Sequence, residues 1–228
     1  MRFTLDDPPF AGRSGQGVII AVLDSGIHAN HPHVGRVVTG ISFTDAADDV
    51  VDHIGHGTAV AAAIREKAPA SDLLAVKIFR ERLATNADVL VRAIEWAADH
   101  GAHLINLSLG TANAAHAERL SAAVDYAAAR GSLVVSALEA NGTPLFPGSL
   151  GAVAGVVADW SCERDSLDVT PRVGSVSRFS ASAYPRPIPG VPRERNLAGV
   201  SFAVANVTGF LARAIESGAT PEMLRGRP

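Results

Sequence analysis

The stretch Gly199-Val200-Ser201-Phe202-Ala203 places one serine between a glycine-led turn and a helix that is apolar on nearly every face. The apolar residues continue to Ile215, which is typical of a helix buried inside a domain. The first turn of a helix has unpaired N–H groups and a positive potential, so a serine there suits a nucleophile whose reaction develops an oxyanion. A serine at this place can equally be an ordinary helix cap, and earlier parts of the chain decide between the two interpretations.

Residues 17–23 form a continuous apolar run, which predicts a parallel strand buried on both faces. The run ends in Asp24-Ser25-Gly26, and open α/β sheets place their functional sites at the carboxyl ends of such strands. Asp24 is therefore a candidate site residue. The alternative is a turn-forming aspartate before glycine, which is common in proteins.

A second candidate, His56, lies in the segment Asp52-His53-Ile54-Gly55-His56-Gly57-Thr58. Residues 59–64 predict a short buried helix, so His56 lies at its opening. The glycines on both sides let other groups approach the imidazole closely. A histidine inside an apolar helix is usually a core residue, whereas one at a glycine-flanked helix start is better placed for chemistry.

The remaining segments alternate strands and helices, which predicts an α/β protein with a mainly parallel central sheet in a three-layer α/β/α sandwich. The proline-rich stretch Pro185 to Pro192 is predicted to be a loop inside the same domain, because it is too short for a linker. The other predicted strands are 73–79, 102–109, 133–137 and 152–157, and the other predicted helices are 88–100 and 115–130.

Composition and charge exclude several classes of function. The formal net charge is -3 and the basic residues are scattered, so nucleic acid is not an expected partner. No apolar run approaches membrane-spanning length, and the first ten residues lack the apolar core of a signal peptide. Cys162 is the single cysteine, so no internal disulfide is possible. These observations predict a cytoplasmic protein with no membrane partner.

Three histidines, His28, His31 and His33, lie in one short loop. A metal site would need these ligands to converge with a carboxylate or a fourth imidazole. Pro32 and Gly35 mark the loop as irregular, which favours an ordinary solvated loop. We therefore expect no metal ion and no other cofactor.

The candidate residues occur in the order Asp24, His56, Ser201, which is the order of the catalytic triad in the subtilisin lineage of serine proteases. The chain resembles the subtilisin-like (subtilase) family from about residue 14 to about residue 216, so we treat residues 1–228 as one peptidase domain. The motifs that carry the resemblance are Asp24-Ser25-Gly26-Ile27, Gly55-His56-Gly57-Thr58, Ala75-Val76-Lys77-Ile78, Asn106-Leu107-Ser108-Leu109-Gly110 and Gly199-Val200-Ser201-Phe202-Ala203.

The resemblance implies a role for each matched residue. Ser201 would be the nucleophile, His56 the general base and Asp24 the group that holds the imidazole tautomer. A peptide substrate would lie extended beside Ser108, Leu109 and Gly110. The segment after the fourth strand would border the pocket for the residue before the cut; its members are Ser136, Ala137, Leu138 and Glu139. The carboxylate of Glu139 suggests a preference for a basic residue at that position.

The chain also departs from the family's pattern. No run of oxygen ligands follows the His56 helix, so the family's calcium site is expected to be absent, and no pro-segment of the usual length is seen. Val200 stands where the family has threonine. The family has an asparagine whose side-chain amide donates to the oxyanion, and the alignment places Ala140 at that position. Asn141 follows one residue further along the chain. Either a bulge brings Asn141 into place or the oxyanion hole is incomplete.

Three functions remain open at this point. The first is an active intracellular serine endopeptidase, for example one that trims a peptide precursor. The second is a catalytically impaired relative that keeps the groove and binds peptides. The third is an esterase or acyltransferase that uses the same triad.

Overall fold

The computed structural model describes residues 1–44, 48–171 and 176–224. The strands are β1 (Arg2–Thr4), β2 (Ile19–Asp24), β3 (Val37–Ser42), β4 (Asp72–Lys77), β5 (Leu104–Leu107), β6 (Leu133–Ala137), β7 (Glu139–Ala140), β8 (Thr143–Pro144), β9 (Ala154–Asp159), β10 (Ser166–Thr170) and β11 (Arg178–Ser182). The α-helices are α1 (His56–Lys67), α2 (Ala87–Asp99), α3 (Ala117–Ala129), α4 (Val200–Glu216) and α5 (Pro221–Leu224), with short 3₁₀ turns at Ala114–His116 and Arg193–Arg195.

One sheet joins nine of the described strands in the order β1-β10-β11-β9-β6-β5-β2-β4-β3. The strands from β11 to β3 pair in parallel, and β1 and β10 add an antiparallel edge. Because β2 and β5 are neighbours, with Leu23 opposite Leu107, the segments that follow them emerge side by side at one edge of the sheet. This adjacency brings Asp24 close to Ser108.

Helices cover both faces of the sheet. Helices α1 and α4 pack on one face around a core that includes Ile64, Phe202 and Phe210. Helices α2 and α3 pack on the other face around a second core that includes Leu90 and Leu120. The predicted three-layer α/β/α fold is therefore confirmed. No helix within the described ranges is both long and apolar enough to cross a membrane.

Several boundaries differ from the predictions. The strand expected over 102–109 ends at Leu107, so Ser108-Leu109-Gly110 forms an irregular segment after β5. The predicted helix at 59–64 extends from His56 to Lys67, and the strand expected over 152–157 runs from Ala154 to Asp159. The periodicity gave no sign of β1, β3, β10 or β11, because these outer strands are only partly buried and lack a continuous apolar run.

Candidate active site

Asp24 and His56 form a close pair at the carboxyl end of the sheet. Asp24 is the last residue of β2, and His56 is the first residue of α1. The imidazole Nδ1 lies 2.7 Å from Oδ1 of Asp24, which also accepts a hydrogen bond from the N–H of Ser25 at 2.8 Å. Gly57 permits this approach, because a Cβ there would lie 2.2 Å from the carbonyl oxygen of Gly26.

The environment of His56 raises its pKa above the ordinary value of 6.5. Burial of the imidazole lowers the pKa, but the hydrogen bond and negative charge of Asp24, with a smaller contribution from the charge of Asp52, outweigh that effect. The second oxygen of Asp24, Oδ2, is buried and has no hydrogen-bond partner among the described residues. Asp24 contributes both a hydrogen bond and a negative charge to His56, which is the arrangement that stabilises an imidazolium.

Ser201 lies at the second position of α4, and Gly199, with φ 152°, is the N-cap. Because Gly199 occupies the cap position and Ser201 lies within the helix, the structure does not support the interpretation of Ser201 as an ordinary helix cap. Its hydroxyl donates a hydrogen bond to the carbonyl oxygen of Ser108 at 3.2 Å. The next residue, Phe202, has its ring centroid 5.5 Å from that of His56.

The structure thus brings the three predicted triad residues into one region, with Asp24 bound to His56 and His56 against the residue that follows Ser201. Within the described part of the chain, the Ser201 hydroxyl bonds to Ser108 and forms no hydrogen bond with His56. Catalytic hydrogen bonds in substrate-free sites often tighten only when the substrate arrives. The arrangement is compatible with a triad in its resting form.

The pH dependence of activity follows from the raised pKa of His56. A general base must be neutral, so kcat/KM is expected to rise with pH through one ionisation with its midpoint above 6.5. The same shift makes protonated His56 a source of stability at low pH, and that contribution is lost as the pH rises through the raised pKa. A pH profile of kcat/KM tests this, and a rate that falls between about pH 6 and 8 would contradict a neutral imidazole base.

Asp52 is a buried carboxylate beside His56 that the sequence analysis did not single out. Its Oδ1 accepts hydrogen bonds from the Ser25 hydroxyl at 2.8 Å and the Gly55 N–H at 2.8 Å, and its Oδ2 accepts from the Thr58 N–H at 2.8 Å and hydroxyl at 2.7 Å. Burial raises the pKa of Asp52, but these bonds outweigh burial and lower it. Asp52 thereby ties the residue after Asp24 to the first turn of α1. An acidic residue four positions before a helix-opening histidine is the signal that could have identified it.

Replacing Asp52 with asparagine is expected to destabilise the fold by about 1–3 kcal/mol, because an amide cannot accept from all of these buried donors. We also expect kcat to fall by about 10²-fold, since the start of α1 positions His56. Thermal unfolding and kcat measure the two effects. The matched control is Asp125→Asn at an exposed position of α3, which should change stability by less than about 0.5 kcal/mol. Equal behaviour of the two variants would contradict the positioning role.

Lys77 supports the same edge of the sheet from β4, where it pairs in register with Asp24. Its side chain is almost fully buried, and its ammonium group donates to Asp49 and to the carbonyl oxygen of Val51, both at 2.9 Å. The carbonyl oxygen of Val50 between them accepts the N–H of Ile27 at 2.9 Å. Lys77 therefore fixes the segment that lies against the Asp24 turn.

The segment Ser108-Leu109-Gly110 is linked to α4 by buried polar groups. The Asn106 amide donates to the Ser108 hydroxyl at 3.0 Å, and its oxygen accepts from the Thr208 hydroxyl at 3.0 Å. Beside the segment lies a cavity of about 500 Å³, which we call the Leu109 cavity. Its lining includes Leu83, Leu90, Leu109, Gly110, Thr111, His116 and Arg119. The predicted substrate-binding segment therefore borders an open cavity.

The residues predicted to border the pocket for the substrate residue before the cleaved bond are largely buried. Ser136, Ala137 and Leu138 are buried, and the Ser136 hydroxyl donates to the carbonyl oxygen of Leu109 at 3.0 Å. A Cβ at Gly148 would lie 1.8 Å from the carbonyl oxygen of Ala137, so that segment closes against β6. The structure thus gives Ser136 a role in holding Leu109. Contact of these residues with substrate stays a prediction.

Glu139 does not offer a free carboxylate. Its Oε2 lies 3.7 Å from the guanidinium of Arg178 on β11, and both side chains border a cavity of about 270 Å³. The expected preference for a basic residue rested on charge pairing with Glu139 in a partly desolvated pocket. Arg178 competes for this carboxylate through a partly exposed ion pair, and the preference stays a prediction.

Asn141 lies at the tip of a hairpin formed by β7 and β8, where Ala140 pairs with Thr143. Asn141 has φ 51° and Gly142 has φ 77°, and two positive φ values in a two-residue loop define a type I′ turn. The dipeptide Asn-Gly is the strongest short-range signal for this turn, and the sequence analysis did not use it. The turn explains Asn141 without an oxyanion role, and the donor role stays a prediction.

The histidine loop forms contacts of its own. The rings of His31 and His33 lie 5.1 Å apart in an edge-on arrangement, and the Nδ1 of His31 accepts the N–H of His33 at 3.2 Å. Across the described ranges, the groups close enough to share a metal ion come from Asp159, Cys162 and Asp168, and none is a histidine of this loop. Arg2 already forms a salt bridge with Asp168 in that group.

Comparison with known proteins places this site in a family. The Subtilase family (peptidase S8) model matches residues 15–227, and the chain belongs to this family. It is 31% identical over 221 residues to M-protease of Shouchella clausii (strain KSM-K16), and 34% identical over 223 residues to the thermophilic serine proteinase of Bacillus sp. (strain AK1). It is 30% identical over 246 residues to thermitase of Thermoactinomyces vulgaris, an alignment that covers 92% of this chain and 86% of the relative.

Two of these relatives are much longer than the chain. The alignments cover 88% of this chain, but 54% of M-protease and 52% of the Bacillus proteinase. Among solved structures, a cold-adapted subtilisin-like serine proteinase superposes with a TM-score of 0.71 at 22% identity. Sphericase superposes with a TM-score of 0.66 at 23% identity, and both superpositions cover 94% of this chain and 82% of the neighbour. At these identities the superpositions show the shared fold.

Proposed function

We propose that the chain is a serine endopeptidase that cleaves peptide bonds through a triad of Asp24, His56 and Ser201. The observation that carries the proposal is the 2.7 Å contact between Asp24 and His56, next to the helix start that presents Ser201. Relatives named as proteases support the same activity. No metal or organic cofactor is needed for this chemistry.

The reaction proceeds in two halves. Nε2 of His56 takes the proton of the Ser201 hydroxyl as the oxygen attacks the peptide carbonyl carbon. The protonated imidazole, stabilised by Asp24, then gives this proton to the departing amine, and the acyl group remains as an ester on Ser201. Water attacks that ester with His56 again as base, which releases the acid and restores the hydroxyl.

The oxyanion that forms in each half needs hydrogen-bond donors aimed at it. The N–H of Ser201 lies in the first turn of α4, where backbone N–H groups lack a partner within the helix. It is the donor that this geometry supports best. The carbonyl oxygen of Ser108, which the Ser201 hydroxyl occupies in the resting site, is free to accept an N–H of the substrate once that hydroxyl turns toward His56.

Asn141→Gly separates the two roles considered for Asn141. Glycine adopts the positive φ of the turn at no steric cost, so the hairpin is retained while the amide side chain is lost. We expect kcat to change less than about twofold, because the turn accounts for this residue. A fall in kcat of about 10²–10³-fold, with KM unchanged, would instead establish Asn141 as an oxyanion donor.

A narrower form of the proposal is a cytoplasmic enzyme dedicated to trimming a peptide precursor. The single cysteine, which is a buried free thiol, suits a reducing compartment. A precursor gene beside this one, and cleavage of its product at one bond, would support the processing role. Cleavage of unrelated proteins at many bonds would favour a general degradative role instead.

A fluorophosphonate probe tests the proposed function directly. Labelling requires an activated hydroxyl, so the native chain should be labelled at Ser201 and the heat-denatured chain should not. Ser201→Ala removes the labelled residue and serves as the control. Labelling with hydrolysis of esters and of no peptide would indicate the esterase alternative.

The second candidate function is a peptide-binding protein without catalysis. Two observations favour it: the Ser201 hydroxyl bonds to Ser108 in place of His56, and Asn141 serves a turn. This candidate predicts peptide binding with no labelling of the native chain.

A further inference from the structure

A short segment after β8 connects the two parts of the chain that are predicted to border the pocket for the substrate residue before the cleaved bond. On the β6 side, the N–H of Leu145 donates to the carbonyl oxygen of Leu138 at 2.9 Å. On the side of Gly110, the backbones of Phe146 and Thr111 exchange two hydrogen bonds, at 2.8 and 2.9 Å. The two walls of the predicted pocket are therefore joined by a third segment.

The side chain of Leu145 lies between these walls. It is 9% exposed and packs in the same core as Ala137 and Phe202. A Cβ added at Gly110 would lie 2.8 Å from Cβ and 3.4 Å from Cδ1 of Leu145, so the leucine lies directly against that wall. The space between Gly110 and the end of β6 is therefore occupied by a side chain of the protein itself.

Neither of the two cavities near this point spans the space between the walls. The described lining of the Leu109 cavity includes Leu109 and Gly110 but nothing from β6 to β7. The described lining of the cavity of about 270 Å³ includes Leu138 and Glu139 but nothing from the segment after β5. Both sets of described residues also lack Leu145, as expected if its side chain separates the two cavities.

Leu145 is held in this position from both directions along the chain. The N–H of Ser149 donates to its carbonyl oxygen at 2.8 Å, and its own N–H is bound to Leu138. Gly148 lies so close to Ala137 that a Cβ would clash with the carbonyl oxygen there. Because protein interiors are closely packed, forcing a second large side chain against Leu145 carries the cost of overpacking.

The resting site indicates which substrate residue meets Leu145. Under the proposed function, the N–H of the residue before the cleaved bond binds the carbonyl oxygen of Ser108 once the Ser201 hydroxyl leaves it. This residue then lies beside the segment after β5. Side chains of an extended peptide point to alternate faces, and at this residue the face turned toward the protein is the predicted pocket between that segment and β6.

We propose that Leu145 fills the pocket for the residue before the cleaved bond, so that the chain cleaves after small residues and discriminates against large ones. The proposal rests on the proposed peptidase function and names the substrate class of that site. Glycine or alanine brings at most a Cβ next to Leu145, whereas leucine, phenylalanine or arginine has to displace it. The proposal therefore opposes the preference for a basic residue that the charge of Glu139 suggested.

The test uses peptide anilides that are identical except for the residue before the cleaved bond, which is Gly, Ala, Leu, Phe or Arg. For the native chain we expect kcat/KM to be highest for a small residue and about 10²-fold lower for Leu, Phe and Arg. A rate on Phe or Arg that equals or exceeds the rate on Ala overturns the proposal.

Variants assign the discrimination to Leu145. In Leu145→Ala, the ratio of kcat/KM for Phe to that for Ala should rise by about 10- to 100-fold, because the removed atoms leave space for the ring. Leu145→Val removes less and should raise the ratio by a smaller factor, and it carries the test if Leu145→Ala fails to fold. Leu167→Ala makes the same change at a buried position of β10 in the same core and should keep the native ratio. Each ratio compares two substrates on one preparation, so a change in the folded fraction cancels.

The outcomes distinguish failure of this inference from failure of the proposed function. Hydrolysis without a preference for small residues, or a preference that survives both changes at Leu145, overturns the role of Leu145 and leaves the peptidase intact. If no anilide is hydrolysed and Ser201 is not labelled by the fluorophosphonate, the proposed function fails. Binding of the same anilides to Ser201→Ala then decides the pocket on its own. Tighter binding of the Ala than the Phe anilide that is lost on adding Leu145→Ala supports the filled pocket, and equal binding overturns it.

Discussion

Replacing Ser201 with alanine is expected to lower kcat by about 10⁶-fold, the loss that subtilisin shows when its serine is removed. The fold should survive, because Gly199 and not Ser201 caps α4. The hydroxyl contributes one hydrogen bond, to the carbonyl oxygen of Ser108, and α4 keeps its apolar contacts without it. Turnover of a peptide anilide and thermal unfolding measure the two effects.

The matched control is Ser217→Ala, which makes the same change at the exposed C-terminal end of the same helix. This variant should retain native kcat and unfold at nearly the native temperature. If Ser201→Ala also kept the native rate, a residue other than Ser201 would have to be the nucleophile, and the assignment of the triad would be wrong.

Replacing Asp24 with asparagine should produce the second largest effect, a fall in kcat of about 10⁴-fold. An asparagine amide can donate to Nδ1 of His56, which holds the imidazole in the wrong tautomer for a base. The change also removes the main influence that raises the pKa of His56, while burial continues to lower it. The residual activity should therefore have its pH midpoint below that of the native chain.

The pH midpoint of activity distinguishes an electrostatic effect of Asp24 on His56 from a purely structural role of Asp24. Asp52→Asn disturbs the same region but leaves the Asp24 carboxylate in place, so its pH midpoint should stay closer to the native value than that of Asp24→Asn. A native midpoint in Asp24→Asn, even with reduced kcat, would mean that the charge of Asp24 does not act on His56.

The sequence predicted the central part of the fold because buried parallel strands and amphipathic helices have clear periodicities. The run before Asp24 became β2, and the helix starts at His56 and Ser201 lie close to where they were expected. The same periodicity could not indicate β1 or β10, which form a partly exposed antiparallel edge.

The details of the site depend on contacts between residues distant in the chain. In the sequence Asp52 has no feature that separates it from an exposed acidic residue. The structure shows that it is buried and hydrogen-bonded to Ser25 and Thr58. The ion pair of Glu139 joins β7 to β11, and no local pattern indicates Arg178 as its partner. For Asn141, the Asn-Gly dipeptide is itself a local signal for the turn, whereas the resemblance to the family indicated an oxyanion donor near this position.

Helix α4 has a consequence for how activity is lost. It carries Ser201 at one end, packs against α1, β5, β6, β9 and β11, and is buried along most of its length. Amide protons in such a helix exchange with solvent mainly when the whole chain opens, whereas loops exchange through local fluctuations. Most of α4 therefore opens only with the whole chain, and the helix that carries Ser201 stays in place during local fluctuations of the loops. Loss of activity on heating and loss of tertiary structure should coincide in a single cooperative step.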